Sequence, residues 1–301
     1  MPRIALATYD PGTAPSKDPD LAGLVAELRA AGADAEARFW DDPDADWAGY
    51  DLVLIRSTWD YTWRTAEFLA WADRVDALTR LLNPVDVVHW NVDKRYLGEL
   101  ASAGVPTVPT RYLPPGPPEP PGPPGAEPDL PTGHEYVIKP ASGAGARYAA
   151  RYTPEERERA IGQLARMHAE GLTAMVQPYM RGVDRHGERA LHFFGGRLLH
   201  ASRKGAVLAP GTPFDAVKTA HPKLEKWQPT AAELELAERA LAAVPGGAER
   251  LLYGRVDLVD GEDGQPCVLE LELVEPHLFL GLHPESRPRV ARLVIEAAQG
   301  S

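Results

Sequence analysis

Apolar residues run unbroken from Ile4 to Ala7 and again from Leu52 to Ile55, the pattern of short, fully buried strands. Between them, residues 20–31 repeat leucine at helical spacing, and residues 35–40 alternate small or apolar with polar positions. This predicts strand, helix, strand, strand. A further helix is predicted over 66–81, ended by Asn83-Pro84. Strands alternating with helices imply a parallel sheet, where ligands collect beyond the carboxyl ends of the strands. Those ends carry residues 10–18 and the segment Arg56-Ser57-Thr58-Trp59-Asp60-Tyr61.

Residues 91–103 predict a helix capped by Asn91 or Asp93 and closed by Gly104, with an extended piece over 105–113. Ten prolines fall within 114–131, a composition that cannot build a core and predicts a polyproline-like excursion. Strands over 135–140 and 173–177 bracket a small-residue loop at 142–147 and a helix over 154–170. From 190 onward the pattern turns antiparallel: two strands meet at Gly195-Gly196, and after a helix over 230–243 two more, 251–259 and 267–274, flank Gly261-Glu262-Asp263-Gly264. A helix over 285–298 closes the chain. These elements group as 1–90, 91–180 and 181–301.

With 301 residues and 44% hydrophobic content, two or three packed lobes are expected. A formal charge of −11 leaves no basic footprint for nucleic acid, so the expected partner is a small molecule. Cys267 is the single cysteine, which excludes an intrachain disulfide and suits a reducing cytoplasm. Neither a signal segment nor a run of roughly 18 apolar residues occurs, so a soluble cytoplasmic enzyme, not a membrane protein, is expected.

The most informative segment is Arg255-Val256-Asp257, a turn, and Leu269-Glu270-Leu271-Glu272-Leu273. Period-two alternation puts Glu270 and Glu272 on one face and the three leucines on the other. A hairpin centred on the Glu262 to Asp263 region sets Asp257 about opposite Glu270 and Arg255 about opposite Glu272. Carboxylates facing one another across strands repel unless a cation intervenes. Oxygen ligands without histidine or cysteine favour magnesium, with manganese as the alternative, over zinc.

Lys139 ends an apolar strand just before the 142–147 loop, where small residues let backbone N–H groups approach phosphate oxygens and a lysine adds a point charge. The loop matches neither common glycine-rich phosphate motif. Lys94 opens a predicted helix, where it opposes the dipole and gains nothing locally. Gln177-Pro178-Tyr179 is an extended hinge that offers a purine edge the Gln177 carbonyl and the Tyr179 N–H.

In order, Lys94, Lys139-Pro140 with its small-residue loop, Gln177-Pro178-Tyr179, Arg203, Arg255-x-Asp257 and Glu270-x-Glu272 resemble the ATP-grasp superfamily along essentially the whole chain. The resemblance implies an α/β architecture: an ATP-grasp fold preceded by an N-terminal parallel-sheet domain. It also implies ATP as cofactor, with Lys94 and Lys139 on its phosphates and Ser142, Gly143 and Gly145 in the covering loop. Gln177 and Tyr179 would frame adenine, and Asp184 or Glu188 would meet the ribose. Arg203 and Arg255 would steady the transferred phosphoryl group, and Asp257, Glu270 and Glu272 would hold Mg2+. Glu272 departs from the asparagine that many members carry, which leaves the number of ions open. Tyr9-Asp10-Pro11, Pro15-Ser16-Lys17-Asp18, residues 56–61 and 271–276 are further similar to the D-cycloserine synthetases, antibiotic-forming cyclo-ligases that act on O-ureido-D-serine. On that likeness Arg56 would take the substrate carboxylate, and Asp10, Ser16 or Asp60 its ammonium group. A homo-oligomer, dimer or tetramer, is also expected. An intermolecular peptide-forming ligase and a nucleotide-binding module without turnover are the competing readings.

Overall fold

The computed structural model describes residues 1–12, 18–116, 128–216, 218 and 223–300; Ser16 and most of the proline-rich stretch lie outside that set. The opening pattern becomes β1 (Arg3–Thr8), α1 (Leu21–Ala30), β2 (Asp34–Phe39), β3 (Leu52–Ser57), α2 (Thr65–Leu78) and β4 (Leu81–Leu82). The four strands form a parallel sheet in the order β2-β1-β3-β4. Both faces are apolar because both are covered. Ala5, Ala7, Val53 and Ile55 pack on Phe68 and Trp71 of α2, while Ile4, Leu6, Leu52 and Leu54 pack with Leu24 and Leu28 of α1.

The helix expected over 91–103 is two helices, α3 (Val85–Asn91) and α4 (Tyr96–Ser102). Asp93 breaks the run by accepting the Arg95 N–H at 2.9 Å, and the Lys94 N–H goes to Ala141 O at 2.8 Å. Asn91 therefore does not act as a cap. It donates to Leu271 O and accepts from Leu273 N, both at 2.8 Å.

A second sheet, antiparallel, has the order β5-β8-β6-β7 and comprises β5 (Arg111–Leu113), β6 (Tyr136–Pro140), β7 (Ala150–Tyr152) and β8 (Ala174–Pro178). It packs on α5 (Arg157–Ala169). After the short α6 (Val183–His186) comes a third, antiparallel sheet, β11-β10-β9-β12-β13. Its strands are β9 (Glu188–Phe194), β10 (Arg197–Lys204), β11 (Glu225–Trp227), β12 (Tyr253–Asp260) and β13 (Pro266–Glu272). One face packs on α7 (Ala231–Ala242), whose Thr230 and Glu233 form the reciprocal cap that starts the helix. The last helix, α8 (Arg287–Ala298), returns to the first sheet, where Val290 and Val294 join the Leu24 and Leu28 cluster. Among the described residues, no helix is long and apolar enough to cross a membrane.

Candidate active site

Period-two alternation gives the third sheet one apolar and one polar face. Leu191, Val256, Leu258 and Leu271 enter the core. On the other face Glu188 pairs with Lys204 and His192 with His200, while Arg255 lies opposite Glu272 and Asp257 opposite Glu270. The hairpin register is the expected one. A bulge follows it, since Leu258 pairs with Val268 and Leu269 has no partner residue. Leu269 accordingly leaves the core row and lines the cavity.

That polar face floors a cavity of about 780 Å³. The second sheet contributes Lys139, Gln177 and Tyr179, the connection between α3 and α4 contributes Lys94, and the ends of β1 and β3 contribute Tyr9, Trp59, Asp60 and Tyr61. The small-residue loop borders the same space through Gly143, Gly145 and Arg147. Gly145 has φ +63°, a left-handed conformation that a glycine adopts without strain. Lys94 Nζ donates to Gly143 O at 2.6 Å and tethers the loop.

Charges of both signs are interleaved. Asp257 receives Arg255 Nε and Nη2 at 2.9 Å and Lys204 Nζ at 2.6 Å. Burial would raise its pKa, but Arg255 and Lys204 outweigh that and hold it well below the usual carboxylate range. Glu270 lies 3.2 Å from Lys94 Nζ and 3.7 Å from Lys139 Nζ. Burial lowers Lys139; in Lys94 the same burial is overcome by Glu270, and its pKa is raised. Glu272 bonds Arg255, yet burial, reinforced by Asp257 and Glu270, pushes it up to about 7. Glu275 is pushed up to about 8 by burial and then by Glu272.

Magnesium fits the donor chemistry, which is hard oxygen alone on one face of a rigid strand pair. The carboxylates are nonetheless turned toward Lys94, Lys139, Lys204 and Arg255. Among the described residues, acidic or histidine ligand atoms gather within 4.8 Å only at Asp18, Asp20 and His277. There Asp20 already accepts the Leu280 and Gly281 N–H groups at 2.9 Å.

Of the residues expected at the site, Lys94, Lys139, Gly143, Gly145, Gln177, Tyr179, Glu188, Asp257, Glu270, Glu272, Arg255 and Asp60 line this cavity. Others do not. Arg203 is on the opposite face of β10 from Lys204, ion-paired to Glu225 and stacked over Trp227, so the expectation for it is corrected. Its neighbour Lys204 lines the cavity instead. Arg56 is 1% exposed, bound to Asp18 at 3.1 Å and to Pro276 O at 3.1 Å, and does not reach the cavity. Asp10 is exposed and accepts the Gly12 N–H in its own turn. Asp184 is held outside by Arg151 and by Tyr179 Oη, leaving Glu188 as the acid beside the hinge. Ser142 Oγ is buried without a hydrogen-bond partner and is not part of the cavity wall. The Tyr179 N–H is spent on Glu135 O at 2.9 Å and is not free for the contact expected of it; the neighbouring Met180 also lines the cavity.

Three sheets around a cavity of interleaved lysines and carboxylates are the architecture of an ATP-grasp ligase, and the solved relatives agree. D-alanine–D-alanine ligase from Bacillus anthracis superposes with a TM-score of 0.71 over 99% of this chain and 98% of that one, at 16% identity, a likeness of fold alone. The crystal structure of D-cycloserine synthetase DcsG superposes with a TM-score of 0.85 at 35% identity, over 98% of this chain and 99% of that chain. Residues 4–83 match the family described as the N-terminal domain of D-cycloserine synthetase DcsG. The cycloserine biosynthesis protein DcsG of Streptomyces lavendulae is 38% identical over 286 residues, covering 93% of this chain and 94% of that protein. The chain belongs to the D-cycloserine synthetase family.

Proposed function

We propose that this enzyme uses ATP to phosphorylate the carboxylate of O-ureido-D-serine and cyclises the acyl phosphate to D-cycloserine. The observation that carries the reading is the convergence of Lys94, Lys139, Lys204 and Arg255 on one face with Asp257, Glu270 and Glu272, inside a cavity large enough for a nucleotide and an amino acid. Phosphoryl transfer asks a protein mainly for positioning and charge neutralisation. Lys94, Lys139 and Lys204 receive phosphate oxygens under the 142–147 loop, Gln177 to Met180 frame the adenine, and Glu188 takes the ribose. Arg255 steadies the transferred group. Glu270, Glu272 and Asp257 would hold Mg2+, which supplies further neutralisation of phosphate charge when bound.

The nucleophile is the ureido nitrogen attached to oxygen in the same molecule. Its attack on the acyl carbon expels phosphate and closes a five-membered ring; water then removes the carbamoyl group as carbon dioxide and ammonia. Intramolecular attack reaches effective molarities of about 10⁵ M or more, so a second-substrate pocket is unnecessary.

ADP release tests the reading. Release with O-ureido-D-serine alone is expected; release only with an amino-acid pair would favour a peptide-forming ligase, and none with any carboxylate a binding module. Glu270→Gln is expected to lower turnover by about 10²-fold or more while the circular dichroism spectrum stays native. Wild-type turnover in that variant would remove Glu270 from the mechanism.

A further inference from the structure

We infer that Glu275 anchors the α-ammonium group of the substrate and is the residue by which the enzyme demands an amino acid. The inference rests on the reading of the substrate as an α-amino acid. Every other carboxylate of the cavity wall is matched to a cation. Asp257 has Arg255 and Lys204, Glu270 has Lys94 and Lys139, Glu272 has Arg255, Glu188 has Lys204, and Asp60 has Arg64. Glu275 faces the same cavity, is 8% exposed, and among the described residues has no lysine, arginine or histidine within ion-pair distance. Tyr61 lines the cavity alongside it.

A buried carboxylate without a cation is costly, and an arriving ammonium would offset that cost. The position is also preorganised. The irregular backbone after β13 is pinned from several sides: Tyr253 Oη donates to Val274 O at 2.8 Å, Trp59 Nε1 to Glu275 O at 3.2 Å, and Arg56 Nη1 to Pro276 O at 3.1 Å. These bonds fix the backbone at Glu275 and with it the point from which its side chain enters the cavity. Trp59, stacked on His277 with ring centroids 5.8 Å apart, walls off one side, and Tyr9 lies 6.1 Å from Trp59. Aromatic faces around an acidic group suit an ammonium and restrict water. Because β13 ends at Glu272, three residues earlier, the ammonium site adjoins the proposed phosphoryl-transfer end. An α-amino acid places its two polar groups on neighbouring carbons, which suits that adjacency.

The test compares kcat/KM for O-ureido-D-serine with that for its deamino counterpart, in which hydrogen replaces the ammonium. Wild type is expected to prefer the amino acid by roughly 10- to 100-fold, and Glu275→Gln, which keeps the shape and removes the charge, to lose most of that preference with KM for ATP unchanged. Glu275→Asp, which keeps the charge, is expected to retain part of it. A merely structural role would depress both compounds equally and leave the ratio intact, and that result overturns the inference while the cyclo-ligase reading stands. If wild type turns over only amino-acid pairs, the cyclo-ligase reading fails, and the same ratio read on D-alanine against propionate judges Glu275 independently. Equal use of amino and deamino compounds by wild type would overturn it in either case.

Discussion

On an extended strand, neighbouring side chains leave opposite faces, so Arg203 and Lys204 occupy unrelated environments although they are adjacent. Lys204 is buried between Asp257 and Glu188, whose charges overcome the burial penalty and raise its pKa. Arg203 sits over Trp227 beside solvent. Lys204→Met is therefore expected to lower turnover by about 10²-fold, the usual cost of one lost transition-state contact, whereas Arg203→Ala stays within roughly threefold of wild type. ADP release at saturating ATP separates them, and equal losses would contradict the face assignment. Counting out from Gly195-Gly196 sets Arg203 opposite Glu188; the irregularity between Leu198 and His200 shifts the register by one and brings Lys204 there instead, in phase with the acidic hairpin, a shift the sequence does not announce. Arg255, Asp257, Glu270 and Glu272 were legible for the reason that Lys204 was not: their own alternation declares which face is polar.

Among the elements, the third sheet buries ionisable rings below its polar face. His192 and His200 are cross-strand partners on β9 and β10, and His200 stacks on His283 with centroids 4.0 Å apart. His200 Nε2–H donates to Leu278 O at 2.8 Å, and Nδ1 lies 2.8 Å from the Ser286 hydroxyl, which can donate to it when the ring is neutral. Burial, and then His283, push its pKa down to about 4 from an ordinary value near 6.5. Between those two values the unfolded chain takes up a proton that the folded one refuses. Stability is thus complete above about pH 6.5 and falls as pH drops through the window, by about 3 kcal/mol at pH 4 from this ring. Guanidinium unfolding at pH 7 and pH 4 should show wild type losing about 3 kcal/mol more unfolding free energy on acidification than His200→Gln, and equal losses would reject the account. Long periodic elements such as α1, α5 and α7 were readable because each carries its own apolar stripe. The split of α3 from α4 was not, since it depends on the Ala141 carbonyl and on β13, whose edge Asn91 and Tyr96 complete with their side chains.

Across the whole molecule, the first sheet acts on the site from behind it. Arg56, at the end of β3, holds Asp18 with one arm and Pro276 O, 220 residues later, with another, while Asp20 accepts the N–H groups of Leu280 and Gly281. No periodicity signals such a contact, which is why an arginine at a strand's carboxyl end reads from sequence as a ligand for substrate. Its geometry makes it a positioning residue for the 274–277 segment. Arg56→Lys keeps the charge, but a single ammonium cannot span both partners as the guanidinium fork does. The variant is expected to fold, to raise KM for the amino-acid substrate by about tenfold, and to leave KM for ATP within about twofold, because the groups proposed for the nucleotide belong to the other two sheets and the α3–α4 connection. Steady-state kinetics with each substrate varied in turn checks this. A parallel rise in both constants would mean that Arg56 supports the cavity as a whole rather than its amino-acid end.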